Sequence, residues 1–342
     1  MARSAVQCRK GLSEASFDEL CGTGAKRRAA VIAWRWPSGF ERPACGGASH
    51  SGISTRGLFR CSTCRRQTSP IAGTISAATK VELRVWFRAM HHLTQGRQGI
   101  SGIEPARRLG VTQTTAWTTK HKLAQVMMER DADQPLHGRV EPDGACPGGE
   151  RPGGKRGRGS PGRTPFVAAV ETAEEGKPVR LKLRRVISFC GRAISGFARR
   201  SLHPDCQVAS GGLACFAAVA EAGCRHEVTR TGSAAAAART PAFKRVNTAL
   251  GSIRAAITGT CRSISQKHVP RSPAEFEYRC NRRHDLAAML PRLTRAAVQT
   301  PPMPCRMLTV AEVSAESGTA SSRPSPSRAG AASPARRISP ST

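Results

Sequence analysis

Arg139-Val-Glu-Pro-Asp-Gly-Ala-Cys-Pro-Gly-Gly-Glu-Arg-Pro-Gly-Gly-Lys-Arg-Gly-Arg-Gly-Ser-Pro-Gly-Arg163 is the stretch on which the reading of this chain turns. It opens as a short strand carrying an acidic residue, Asp143, and becomes a Gly-rich loop that contains Lys155, Arg156 and Arg158. A carboxylate beside a flexible cationic loop is what metal-assisted chemistry on a phosphate backbone requires. The competing reading of the same residues is a plain linker between two domains. The residues upstream of the stretch read as equipment for finding DNA. Those downstream of it read as a scaffold for the carboxylate.

The charge balance narrows the partner. In 342 residues there are 54 Lys and Arg against 23 Asp and Glu, a formal charge of +31. Such an excess points to a polyanion, nucleic acid first. An anionic membrane is the competitor, but no basic amphipathic helix with an aromatic face is evident. No apolar run approaches the ~20 residues that cross a bilayer, and the N-terminus lacks a secretory apolar core. The expectation is a cytoplasmic protein associated with the bacterial nucleoid and not with a membrane. Thirteen cysteines in a large basic chain suggest metal binding over a disulfide scaffold. Tyr278 is the single tyrosine, and aromatics are sparse for a well-packed core.

Upstream of the opening stretch, residues 1–35 read as a poorly ordered lead-in with one amphipathic patch, Ser16–Leu20. Residues 36–72 read as a zinc ribbon. Cys61-Ser-Thr-Cys64 is a complete knuckle, and 15 residues separate it from Cys45. Four thiolates are needed to close a tetrahedron around Zn²⁺, and two C-x-x-C knuckles at about this separation supply them. Arg42 stands where the fourth cysteine belongs, which leaves Cys45, Cys61 and Cys64, with His50 the nearest substitute. Two unrelated cysteine groups in a loop is the other reading.

Pro70–Thr79 is a connector of small residues. Residues 80–130 read as helical. Leu83, Trp86, Phe87, Met90 and Leu93 form the i, i+3, i+4, i+7 stripe of a core-facing helix, with His91 and His92 as helix-end residues and not ligands. Ile100–Leu123 reads as a helix-turn-helix: a Ser101/Glu104 capping box, a turn at Gly110-Val111, and Thr112 capping a helix over Gln113–Leu123. Ala116, Trp117 and Leu123 face inward. Thr112, Gln113, Thr114, Thr115, Thr118, Lys120 and Lys122, with Arg107 and Arg108 before them, are left for groove and phosphates. An ordinary helical hairpin is the alternative. Pro105, inside the first helix's opening turns, is expected to weaken it.

Downstream, Thr164–Thr172 and Pro178–Ile187 read as strands joined by a hairpin at Glu174-Glu-Gly-Lys177. Helices come next at Ile194–Leu202 and Leu213–Ala222, with short strands at Cys206–Ala209 and His226–Val228. Strand, hairpin, helix, strand, helix, strand is a mixed α/β pattern. The Ala-rich Thr231–Thr240 reads as a loop, Phe243–Ile257 and Pro273–Leu293 as helices, and residues 300–342 as a tail that is largely disordered.

The order of these pieces resembles bacterial insertion-sequence transposases with an N-terminal zinc ribbon, a helix-turn-helix and an RNase H-like DDE-type catalytic domain. The motifs that carry the resemblance run over roughly residues 36–310: the Cys61-Ser-Thr-Cys-Arg-Arg-Gln67 knuckle, Leu83-Arg-Val-Trp-Phe87, Leu109-Gly-Val-Thr112, Val140-Glu-Pro-Asp143, Gly148-Gly-Glu150, Thr164-Pro-Phe-Val-Ala-Ala-Val-Glu171 and Glu275-Phe-Glu-Tyr-Arg-Cys-Asn-Arg-Arg283. The resemblance implies an RNase H-like domain over 138–298. It also implies structural Zn²⁺, catalytic Mg²⁺, double-stranded DNA at element ends as partner, and an oligomeric state on DNA that stays open. It implies in-line attack on a phosphodiester at a site of acidic residues.

Asp143 matches the first acidic position. The second belongs in a Ser-Asp-Gly-Leu type of turn, and the chain reads Ser210-Gly-Gly-Leu213. Asp205 cannot replace it, lying roughly 20 Å back at the other end of a strand. The third position lies among Asn247, Leu250 and Ser252; Asn247 shares a helix face with Arg254, which suits a ligand with a phosphate-binding partner. Pro142, Pro273, Cys146, Cys261 and Cys280 also depart from the expected pattern and suggest a marginal fold. The leading expectation is a catalytically impaired transposase. The rival is a transposase-derived DNA-binding protein or repressor, and a general zinc-ribbon nucleic-acid binder comes third.

Overall fold

The structure, a computed structural model, describes residues 10–96, 99–101, 103–145, 165–230, 240, 243–261 and 271–309. Lys155, Arg156, Arg158, Cys146, most of the Ala-rich 231–240 segment and the tail beyond 309 lie outside the described residues.

The expected poorly ordered lead-in is instead helical, as α1 (Glu14–Cys21) and α2 (Gly24–Arg35). Ser13 accepts the Ser16 N–H at 3.1 Å and Thr23 accepts that of Lys26 at 3.2 Å, so both helices start on N-caps the sequence carries. Phe17, Cys21 and Val31 are buried in the main helical core. The ribbon comes next as three antiparallel strands, β1 (His50–Ile53), β2 (Leu58–Cys61) and β3 (Gln67–Thr68).

The apolar stripe forms α3 (Leu83–Gln95), and Trp86, Phe87, Met90 and Leu93 are buried. The helix-turn-helix is α4 (Glu104–Leu109) and α5 (Gln113–Ala132). Gly110 turns the chain at φ +65°, a conformation open to glycine. Ser101 accepts the Glu104 N–H at 3.1 Å, and Thr112 caps α5 through the Thr115 N–H at 3.3 Å. Pro105 sits in the first turn of α4, where a proline surrenders only an N–H that has no helical partner. It does not weaken the helix there.

The second sheet has strand order β6-β5-β4-β7-β8. Its strands are β4 (Arg139–Ala145), β5 (Phe166–Thr172), β6 (Pro178–Arg185), β7 (Gln207–Gly211) and β8 (Arg225–Thr229). The first three are antiparallel, and β7 and β8 add in parallel, giving the mixed sheet expected of an RNase H-like domain. Val140, Val167, Ala169 and Val208 face α6 (Gly191–Ser201) and the 3₁₀ helix Ala214–Ala222, which the pattern had suggested as an ordinary helix. Phe166, Ala168 and Val170 face α7 (Lys244–Cys261). Pro142 does not break β4 from β5, whose pairing is continuous from Arg139 to Ala145. On the other side, the ladder to β7 pairs only Arg139 and Val140 and stops before Pro142, which has no N–H to donate.

The helical stretch expected over 273–293 is two helices, α8 (Ser272–Asn281) and α9 (Met289–Gln299), with a short α10 (Cys305–Thr309) after them. Pro273 lies in the first turn of α8 and interrupts nothing. Tyr278, Leu290 and Leu293 join the helical core of α1–α5, so the chain returns to pack against its own beginning. The other side of α8 closes the open edge of the sheet. Asn281 accepts the Leu181 N–H at 2.7 Å and donates to the Leu181 carbonyl at 3.0 Å, while Glu277 accepts the Leu183 N–H at 2.9 Å. Two side chains one helical turn apart thus stand in for a missing neighbour strand on β6. Asn281→Ala strips partners from one N–H and one C=O, and we expect a loss of roughly 2–4 kcal/mol, read as a lower urea midpoint at unchanged m-value.

Candidate functional site

Asp143 lies on β4 in phase with Arg139 and Glu141, opposite Ala168 and Val170 of β5, and so on the sheet face covered by α7. Its Oδ1 accepts the Gly144 N–H at 2.7 Å. Glycine at 144 lets the Phe189 ring close over the strand, since a Cβ there would meet it at 2.6 Å. Glu141 is buried, and its carboxylate accepts the Arg245 and Val246 N–H groups at 3.1 and 3.2 Å. It therefore anchors the N-terminus of α7 to the strand that carries Asp143. Burial pushes its carboxyl above the usual range even with those two donors. The signal for this role was present: an acidic residue two before Asp143 shares its face, and a buried carboxylate needs donors.

Asn247 is in the first turn of α7 and half-buried; Arg254 is exposed further along the same helix. Leu250 packs against the sheet and Ser252 is exposed. The parallel pairing sets Arg139 beside Gln207 and Val140 beside Val208 and ends there. Counted on from it, Asp143 and Gly211 are both three residues further along their strands, with side chains of the same phase. Gly211 offers no carboxylate, and a Cβ built there finds nothing within 4 Å. Asp205 sits in the turn before β7, at the far end from Gly211. His226 hydrogen-bonds Ser210 at 2.7 Å, but both occupy the opposite face with Val208. Glu227 shares the Asp143 face and is paired with Arg139 at 3.4 Å. Among the described residues, no group of three His, Cys, Asp or Glu ligand atoms includes Asp143. These residues do not fit a pair of Mg²⁺ ions.

The ribbon's thiols do gather. Cys45 Sγ lies 3.7 Å from Cys61 Sγ and 3.5 Å from Cys64 Sγ. Tetrahedral zinc with bonds of ~2.3 Å sets its sulfurs about 3.8 Å apart, so the three fit three corners of such a site. Backbone N–H groups of Cys64 and Thr63 help hold the Cys61 thiol down to about 7. Gly47 lets the chain pass, since a Cβ there would meet Cys61 Sγ at 2.8 Å. His50 lies outside the thiol cluster: its ring packs on Phe40 and Phe59 at 4.5 and 4.7 Å, in an aromatic group with Trp36. The fourth corner faces Arg42, whose side chain hydrogen-bonds Cys45.

On the helix-turn-helix, Arg107, Arg108, Thr112, Gln113 and Thr114 are exposed, with Arg108 paired to Glu104 at 2.6 Å. Thr115 is half-buried and bonded to Thr112 at 2.9 Å; Lys122 is half-buried. Lys120 turns inward, with its ammonium on the Ile100 carbonyl and 3.9 Å from the buried Glu275. It is a structural cation and not a phosphate contact.

The chain thus carries a thiol ribbon, a helix-turn-helix and a mixed sheet with an acidic central strand. Residues 135–281 match the ISXO2-like transposase domain, and residues 22–67 match the transposase zinc-ribbon domain. The chain belongs to the insertion-sequence transposases with an N-terminal zinc ribbon. No curated protein matches it. No helix among the described residues is long and apolar enough to cross a membrane.

Proposed function

We propose that this transposase binds the ends of its own element as double-stranded DNA and is crippled in cleavage and strand transfer. The observation that carries the reading is Gly211: it follows the β4–β7 ladder by the same three residues as Asp143, where the resemblance puts a second carboxylate, and among the described residues the acidic side chains sharing that face, Glu141 and Glu227, are already held by other groups. Asn247 and Arg254 on α7 are the candidates for what remains of the third position and its phosphate contact. Because the residues present do not fit two Mg²⁺ ions, no catalytic step is assigned to them. Zinc in the ribbon, a cytoplasmic location at the nucleoid and self-association on DNA belong to the same proposal.

The exposed Arg107, Arg108, Gln113 and Thr114 favour retained DNA recognition, and with it the second reading, a non-catalytic DNA-binding protein or repressor. Gln113→Ala is expected to weaken binding to element-end DNA by roughly 1–3 kcal/mol and relax sequence preference at one position. Arg107→Ala should weaken all sequences alike and lower the salt dependence by about one ion. Lys120→Met should leave affinity intact while lowering the thermal midpoint. Fluorescence anisotropy on a duplex carrying the terminal repeats measures the two affinity changes and the unchanged third. Equal affinity for repeat-bearing and scrambled duplexes would favour a general nucleic-acid binder instead.

A further inference from the structure

A second cluster of ligand atoms lies apart from the ribbon's thiols, where α1 meets α3. We propose that Glu14, His91 and His92 form a binding site for a divalent transition ion such as Zn²⁺, separate from the three-cysteine cluster. Ligand atoms of the three residues all lie within 4.8 Å of one another. The composition, two imidazoles and a carboxylate, is that of borderline divalent ions.

The geometry around His91 carries the proposal. The residue is 4% exposed, and its Nε2 lies 3.0 Å from the Leu12 carbonyl, an acceptor that fixes the proton on Nε2. Nδ1 is then the lone-pair nitrogen. It is buried with no hydrogen-bond partner and points toward Glu14 Oε1 at 3.5 Å. Charge-assisted hydrogen bonds run to ~2.7–2.9 Å, so this separation is long for one. It is close to the ~3.3 Å between two ligands of a tetrahedral ion with bonds of about 2.0–2.1 Å. Ligating histidines characteristically donate their other ring N–H to a carbonyl, as here.

The surroundings are held in place. The Leu12 N–H donates to Gln95 Oε1 at 2.9 Å, so α3 grips both polar groups of the residue that orients His91. Arg88 binds the other Glu14 oxygen, Oε2, together with Asp18, which leaves Oε1 turned to the imidazole. The Glu14 side chain is 56% exposed and provides the entry path. His92, ring centroid 5.6 Å from that of His91, also lines a small cavity with Pro105, Leu109 and Ala116 beneath the helix-turn-helix. An ion here ties the N-terminal helix to the helix on which the DNA-reading pair rests.

The test is the metal content of the full-length chain, stripped with chelator and refilled with Co²⁺. Wild type is expected to hold one more Co²⁺ than Glu14→Gln or His92→Gln. The intense thiolate-to-cobalt band of the ribbon should be unchanged in both variants. His91→Ala should behave alike but removes a buried ring, so Glu14→Gln, at an exposed position, decides if that variant misfolds. Equal Co²⁺ content in wild type and Glu14→Gln, with both folded by circular dichroism, overturns the proposal. Loss of the thiolate band together with the extra ion also overturns it, because the two sites would not be separate.

Discussion

Replacing Gly211 by Asp is expected to give the chain Mn²⁺ affinity and element-end nicking above those of the parent. The substitution is sterically free, since the added Cβ meets nothing within 4 Å and Gly211 is not among the positive-φ glycines. Asp143 and Gly211 each lie three residues beyond the last pair of the parallel β4–β7 ladder, in the same phase on neighbouring strands. Two carboxylates on neighbouring strands in the same phase can share an ion that one holds weakly. We expect Mn²⁺ to bind roughly tenfold tighter or more, about 1.4 kcal/mol. Nicking should rise by roughly 10²–10³-fold, the scale on which loss of one transition-state electrostatic partner acts. Asp143→Asn in the same background should return both to parental values. Tighter Mn²⁺ without nicking would mean that the third position around Asn247 has also failed, and would favour the DNA-binding reading. Parental cleavage at ordinary rates would sink the impaired-site proposal.

How much of the molecule is legible in its sequence depends on how local each cause is. The α3 stripe, the β5–β6 hairpin and the Thr112 cap rest on contacts within a few residues, and each stands where its pattern put it. Gly211 was legible through the resemblance, because Ser210-Gly-Gly-Leu213 stands where a Ser-Asp-Gly-Leu turn is expected and the end of β7 falls there. Lys120 was misjudged because its partner, Glu275, comes from a helix far along the chain, and nothing near Lys120 announces it. The same applies to α8 and α9, whose buried Tyr278 and Leu293 belong to the N-terminal core although the chain order assigns them to the catalytic domain. His50 had the spacing of a ligand, but Phe40 and Phe59 offered its ring a better-packed place. The two prolines at 105 and 273 were misplaced by a turn, which is enough to reverse their meaning.

Arg42→Cys is expected to tighten zinc binding by roughly a hundredfold or more, which adds about 2.7 kcal/mol to stability at fixed free zinc. The backbone is already shaped for the missing thiolate. The Arg42 carbonyl accepts the Gly46 N–H at 2.9 Å, and the Arg42 N–H donates to the Gly47 carbonyl at 3.1 Å. Around Cys61 the same two bonds recur: its carbonyl accepts the Arg65 N–H and its own N–H donates to the Arg66 carbonyl, both at 3.0 Å. Positions 42 and 61 are therefore equivalent corners of two knuckles, one of which kept its turn while losing its ligand. The substitution also removes a guanidinium that hydrogen-bonds Cys45 and repels a cation. Arg42→Ala separates the contributions, because it removes the charge without supplying sulfur. Competition against a chromophoric chelator should rank Arg42→Cys tightest, then Arg42→Ala, then the parent. If Arg42→Cys binds no better than Arg42→Ala, the knuckle no longer aims position 42 at the thiols. Chelation should loosen the strands locally and leave the helices standing, since Trp36 and Phe40 pack on Phe59 without help from the metal. That packing explains how a ribbon holds its turns with one corner of its metal site gone.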